Sequence, residues 1–303
     1  MSATHDTLAA APHRAGVRHP GNLTAALRAA GGALQWRLLL WWVLLLLLPT
    51  AAAALPWWQM LGVSLDHSLY AARLAERLDL VAVADLAFAA NERYGAAIGG
   101  GGLVALVLAL LLSPLLTGMT LAAARAPQRL GFMPLLAAGA AEYARLLRML
   151  VWAVVPLGIA AALGSIPFRF ADRVAETATL ESDAAHAARL AMLAAAVLLL
   201  LAHATVDAGR AVLASDRRRT SAVAAWWAGC RLLVRRPLAV LGVYVAITAL
   251  GLVVAALLAL ARAHVPALGA LGSAGAVVLG QLVVVVLGAM RSARLFALLA
   301  LIR

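Results

Sequence analysis

Residues 36–58 read WRLLLWWVLLLLLPTAAAALPWW, an apolar run closed by Trp36 at one end and by Trp57 and Trp58 at the other. A helix rises about 1.5 Å per residue, so the roughly 21 residues between these tryptophans cover about 31 Å, the thickness of bilayer hydrocarbon. Tryptophan favours the two membrane–water interfaces, and the run predicts a membrane span over about 38–55 with an aromatic belt on each side. The same Leu-rich core followed by Ala51–Ala54 also has the form of a secretory leader with a small-residue cleavage site. The long lead-in and the flanking tryptophans favour an anchor that stays.

Five more stretches are long and apolar enough to cross: about 98–124, 150–164, 187–206, 238–261 and 267–290. The whole chain of 303 residues is 65% hydrophobic and 13% charged, which excludes a soluble globular protein and a disordered one. A disulfide framework is excluded because Cys230 is the single cysteine. The short connection through His264 and Pro266 predicts that the last two spans form an antiparallel hairpin. Pro49, Pro114 and Pro156 fall inside spans and are expected to kink them.

The net charge of +12 suggests nucleic acid until its distribution is counted. There is no lysine, so all 25 basic residues are arginine. The segments before the first span, between the second and third, between the fourth and fifth, and after the sixth hold 18 Arg and four acids, whereas the alternate segments hold seven Arg and nine acids. By the positive-inside rule the first set is cytoplasmic, both termini included, and the charge is a topological signal with no nucleic-acid partner implied. The expected architecture is all-α: a cytoplasmic tail over 1–34, disordered over its first 20 residues, and one six-helix transmembrane domain over 35–303. The outer segment 57–97 is expected to be helical and to cap the bundle, and 172–183 to be a solvated loop or an extension of the fourth span.

After the first span, the order span, basic amphipathic segment, span occurs twice, which predicts two parallel repeats. Arg145-Leu146-Leu147 and Arg231-Leu232-Leu233 sit at matching places before re-entry. From Phe132 to Leu150, Glu142, Arg145 and Arg148 recur at helical spacing among apolar residues, as in an interfacial helix. In the second unit Arg217, Arg218 and Arg219 precede Thr220 and Ser221, which suit an N-cap. The following helix sets Val223, Trp226, Trp227 and Leu233 against Arg231 and Arg235, with Arg236 before Pro237. These six arginines are read first as topology determinants, and as candidates for contact with lipid headgroups or a partner protein.

Ionisable groups are absent from the depth of every span, which disfavours ion-coupled pumping. His203, Asp207 and Arg210 share one helical face at the end of the fourth span. They suit either a metal or proton site completed by Cys230 or a substrate, or an interfacial ion pair with His203 hydrogen-bonded nearby; the second reading is favoured, since two ligands do not make a zinc site. Gln281 lies mid-span beside a stripe of Gly269, Gly272, Ser273, Ala276 and Gly280, which predicts close helix packing with an interhelical hydrogen bond more than a substrate contact. Ser113 and Thr117 are expected to bond back to their own helix, and the Gly99–Gly102 run to be a flexible helix entry. No phosphate-binding loop, metalloprotease motif, nucleophile elbow or paired-cysteine motif occurs, so no catalytic residue, metal or cofactor is assigned.

The order of spans, with VDAGRAVLASDRRR over 206–219, an amphipathic helix and Arg235-Arg236-Pro237, resembles a loose class of bacterial six-span inner-membrane proteins. That class is similar to the membrane domain joined to some glycerophosphodiester phosphodiesterases. The resemblance covers about 101–303 and implies a helical bundle near lipid, with no catalytic residues because the hydrolase domain of those enzymes has no counterpart here. The reading is a non-enzymatic inner-membrane scaffold or accessory subunit beside membrane lipids and a membrane-protein partner. Its rivals are a carrier of an amphiphile and an intramembrane enzyme built on His203 and Asp207.

Overall fold

The computed structural model describes residues 23–66, 68, 80–178, 180–265 and 269–302, and among them every regular element is a helix. In chain order these are α1 (Leu23–Gly31), α2 (Trp36–Leu65), α3 (Leu80–Glu92), α4 (Gly95–Arg125), α5 (Phe132–Thr177), α6 (Glu181–Ser215), α7 (Ala222–Arg235), α8 (Pro237–His264) and α9 (Gly269–Ile302). Six of them, α2, α4, α5, α6, α8 and α9, are long and apolar enough to cross a membrane. Six crossings put the N- and C-terminal ends on one side, called here the terminal side. The first 20 residues and Pro266 lie outside the described residues.

Several helices exceed the membrane they cross. Helix α5 has 46 residues, about 69 Å, more than twice the hydrocarbon thickness. The amphipathic segment expected ahead of the third span is therefore the first half of that same helix, and its far end runs past residue 172 to Thr177. Helix α9 likewise continues beyond the expected end of its span to Ile302. Prolines do not end these helices: Pro49, Pro114 and Pro156 are buried within them, and Pro56 and Pro167 are also carried inside helices. The glycine run 99–102 is helical, not a loose entry; a Cβ on Gly101 would fall 2.6 Å from Pro56 Cγ, so Gly101 lets α2 close on α4.

The protruding ends pack together into a layer on the terminal side. Leu121, Leu146, Met149, Leu213, Leu295 and Leu299 form one buried cluster there. Ala204, Val240, Tyr244 and Leu298 form a second, joined by Ala26 of α1, so part of the 1–34 tail is an ordered helix seated on α9. A third brings Leu38 and Trp42 of α2 against Leu116, Met119 and Leu135. Burial from water drives this packing at roughly 1.5–3 kcal/mol per large side chain. Between lipid tails that force is absent. Accordingly the opposite halves of the spans meet through small residues, as at Gly101 and at Gly164 with Ala195, and turn their large side chains outward, with Leu103, Leu106, Leu190, Leu193, Leu257 and Leu271 all exposed.

The two expected repeats have a register ninety residues apart. Helices α4 and α6 end at Arg125 and Ser215, and α5 and α7 begin at Phe132 and Ala222. Gly139 meets α4 and Gly229 meets α6 at matching places: a Cβ on Gly139 would fall 3.2 Å from Met119 N, and one on Gly229 only 2.5 Å from Gly209 N. The Arg-Leu-Leu triplets, 86 positions apart in number, are not equivalent; the small residues at the helix crossings are. The units differ after that point. Helix α5 runs on unbroken, whereas the second unit breaks at Arg236 and restarts with Pro237 in the first turn of α8, where a missing N–H costs nothing.

Candidate functional site

Asp207 is the centre of the largest polar cluster on the terminal side. It sits on α6 four residues after His203 and three before Arg210, and it has no exposed surface. Its Oδ1 accepts from Arg210 Nη1 at 2.7 Å and its Oδ2 from the Tyr244 hydroxyl at 3.3 Å. Arg294 of α9 places its Nε 3.9 Å from Oδ2, stacks over the Tyr244 ring at 4.7 Å and donates to Thr248 Oγ1 at 3.3 Å. Three helices thus converge on one carboxylate.

The expected Asp207–Arg210 pair is present, but it is buried in the packed layer instead of lying at a wet interface. His203 Nε2 is 3.9 Å from Asp207 Oδ2, too far for a hydrogen bond. Cys230 stands beside Thr205, on a different face of α6, and burial raises its thiol pKa above the ordinary value. Among the described residues no three His, Cys, Asp or Glu side chains come together.

Sequence reading counted Arg291 and Arg294 only as charge beyond the sixth span. Because α9 continues as a helix, Arg294 turns into the cluster and Arg291, one turn earlier, toward α4 beside it. Arg291 Nη2 donates to Ser113 Oγ at 2.9 Å and to Thr117 Oγ1 at 3.5 Å on α4, while its guanidinium carbon lies 5.7 Å from the Trp42 ring. Thr117 does bond back to the Ser113 carbonyl, as expected, whereas the Ser113 hydroxyl serves Arg291. The signal available in the sequence was the three-residue spacing of Arg291 and Arg294, one helical turn apart, from which Arg291 reaches the second span and Arg294 the fourth.

Gln281 is not brought to this cluster. It precedes Arg291 by ten residues, about 15 Å along α9, and is half-buried without the expected interhelical hydrogen bond among the described residues. The small-residue stripe does not seat a neighbour at Gly280, which faces open space. The close approaches on α9 occur nearer the terminal side, where a Cβ on Gly288 would lie 3.0 Å from the Trp42 ring and Met290 fills the space over Gly251.

A second ion cluster locks the loop after α6. Glu142 accepts from Arg125 Nη2 and Arg145 Nη1, both at 2.7 Å. The same arginines turn their other nitrogens to the C-terminal end of α6: Arg125 donates to Ala214 O at 3.0 Å, and Arg145 to Leu213 O, Asp216 O and Arg219 O. Carbonyls at a helix C-terminus carry partial negative charge, so cations there stabilise it.

The remaining arginines form an outer surface. Arg217, Arg218, Arg231 and Arg235 are exposed and Arg219 and Arg236 half-buried. Arg217 approaches Glu142 only to 3.9 Å. Ser221 caps α7, accepting from Ala224 N at 3.3 Å. Trp226 turns inward, donating to Thr205 Oγ1 at 3.0 Å and meeting Trp152 edge-on. Val223, Trp227 and Val234 stay exposed beside Arg231 and Arg235. No protein-family model, curated protein or solved structure matches the chain.

Proposed function

We propose that the chain is a multi-pass protein of the bacterial inner membrane, termini in the cytoplasm, that acts without catalysis as a scaffold or accessory subunit. One observation carries this reading: the outer face of α7 and the turn before it combine exposed Arg217, Arg218, Arg231 and Arg235 with exposed Val223, Trp227 and Val234. That mixture suits a helix lying at the anionic headgroup level, where each arginine contributes about 1 kcal/mol and the apolar side chains enter the acyl boundary. The exposed leucines on the far halves of the spans then face lipid or the helices of a partner. The resemblance to lipid-adjacent membrane domains points the same way.

Crosslinking and mass spectrometry of proteins and lipids copurified with the full chain test the proposal. A recurrent membrane-protein companion, lost when Arg217, Arg218, Arg231 and Arg235 are all replaced by Gln, supports it. Purification with lipid alone, unchanged in the variant, overturns it.

A second reading, a carrier of an amphiphile, is favoured by the exposure of Leu190, Leu193, Leu257 and Leu271 on the far halves of α6, α8 and α9. It predicts faster transbilayer movement of a fluorescent phospholipid in vesicles holding the purified chain than in empty ones.

A further inference from the structure

The Asp207 cluster contains more positive charge than its own residues offset. Arg210 and Arg294 lie against one carboxylate and Arg291 sits one helical turn before Arg294, leaving two guanidinium charges without a carboxylate among the described residues. Charge held out of water without a counter-charge is costly, and removing water also strengthens any anion that arrives. Arg294 is only 7% exposed and its Nε is buried without a hydrogen-bond acceptor; Arg291 Nε is in the same condition. In the Glu142 cluster the Nε atoms of Arg125 and Arg145 are likewise buried without an acceptor, but there the other nitrogens of both arginines are offset by the carbonyls that end α6.

Access to the excess charge is visible at His203. It shares a helix face with Asp207, which is wholly buried, yet its own side chain is 40% exposed. The cluster is therefore open on its His203 side, one turn from Asp207 and at the end of the membrane-crossing part of α6, the depth of a lipid headgroup. Arg291, half-exposed, keeps Nη1 free of any hydrogen bond among the described residues.

We infer that this open side of the cluster is a binding site for a phosphoryl group, with Arg291 as the principal donor, His203 at the mouth and Arg294 and Arg210 supplying field from behind. Arginine presents several N–H donors in one plane and matches tetrahedral phosphate oxygens by two-point contact. The ligand chemistry is shared by a phospholipid headgroup entering sideways and by free phosphate. The inference goes beyond the scaffold proposal, which concerns the outer face of α7.

The experiment uses the purified full chain in neutral detergent, titrated in separate arms with phosphatidylglycerol, phosphatidylcholine and inorganic phosphate, with bound ligand read by native mass spectrometry and by shift of the melting temperature. The expected result is saturable binding of phosphatidylglycerol or inorganic phosphate, weakened about tenfold or more in Arg291→Gln and in His203→Ala and unchanged in Arg235→Gln. His203→Ala guards against a folding defect in the Arg291 variant, because His203 forms no hydrogen bond in the cluster. Binding of phosphatidylglycerol without inorganic phosphate assigns the source as lipid, and binding of inorganic phosphate assigns it as free anion. Absence of binding in both arms, equal binding of phosphatidylcholine, or equal losses in Arg235→Gln and Arg291→Gln overturns the site. Loss confined to Arg235→Gln would overturn it while leaving the outer-face proposal standing.

Discussion

Arg145 Nη2 lies 2.7 Å from the carbonyl oxygen of Leu213, joining the first half of α5 to the last turn of α6. The same nitrogen reaches Asp216 O and Arg219 O, so a single guanidinium edge gathers the end of one helix and the turn that follows it. The other edge is held by Glu142, one helical turn earlier on α5. This fixes the direction in which the chain leaves α6 and enters α7, and with it the place of the arginine-rich outer face.

Replacing Arg145 by Ala is expected to lower stability by about 3 kcal/mol, because several charge-assisted bonds go and buried carbonyls lose their donor. Arg148→Ala is the control: Arg148 is exposed and bonds only to Ala144 O of its own helix, at 3.3 Å. Thermal unfolding in detergent should show a clear drop for the first and little change for the second. Equal drops would mean that the Arg145 bonds do not hold the turn.

The two glycine crossings make a paired prediction. Gly229→Ala would drive a methyl group to 2.5 Å from the Gly209 backbone nitrogen, and neither helix can yield without moving its whole turn. The expected cost is about 1–3 kcal/mol, as for overpacking in a tight core. Gly242→Ala, on α8, meets nothing within 4 Å and should be neutral or slightly stabilising through helix propensity. Melting temperatures of the two variants check the sign of each.

How much of this was legible beforehand depends on what each signal measures. Hydrophobic run length located all six crossings, because solvation by lipid acts on every residue of a span regardless of its neighbours. It did not reveal that the Phe132–Leu150 segment and the third span are one helix, since amphipathicity changes at the membrane edge while the backbone need not. Asp207 and Arg210 were readable from their spacing on one helix, whereas Arg291, Arg294 and Tyr244 join them from other helices, and no local pattern encodes that meeting. Gln281 misled for a related reason: a polar side chain in a span implies a partner only if another helix is close to it, and beside Gln281 the helix has open space at Gly280 and exposed Val277, Val278 and Leu282.

Removing the carboxylate at the centre of the cluster should be severe. Asp207→Ala leaves buried Arg210 and Arg294 without their counter-charge, and loss of one partner of a buried pair typically costs about 3–5 kcal/mol. Tyr244→Phe removes one donor at 3.3 Å and should cost about 1 kcal/mol. With a phosphoryl group bound beside His203 and Arg291, the melting temperature of Asp207→Ala should fall further with added phosphatidylcholine alone than with phosphatidylglycerol. Melting curves across the two lipids measure the difference.

The single cysteine supplies a test of sidedness. Cys230 is half-buried, and burial raises its thiol pKa, so less thiolate is present at neutral pH than in a free cysteine. Because thiolate is the reactive form, labelling of the native protein by a maleimide should lag behind a free thiol near pH 7 and gain on it as pH rises. In a Cys230→Ala background, Arg235→Cys and Ser182→Cys place exposed thiols on the terminal side and the far side respectively. A membrane-impermeant maleimide added to intact spheroplasts should label position 182 and spare position 235 until the cells are lysed. The reverse pattern would place the arginine-rich face outside the cell and overturn the cytoplasmic assignment of both termini.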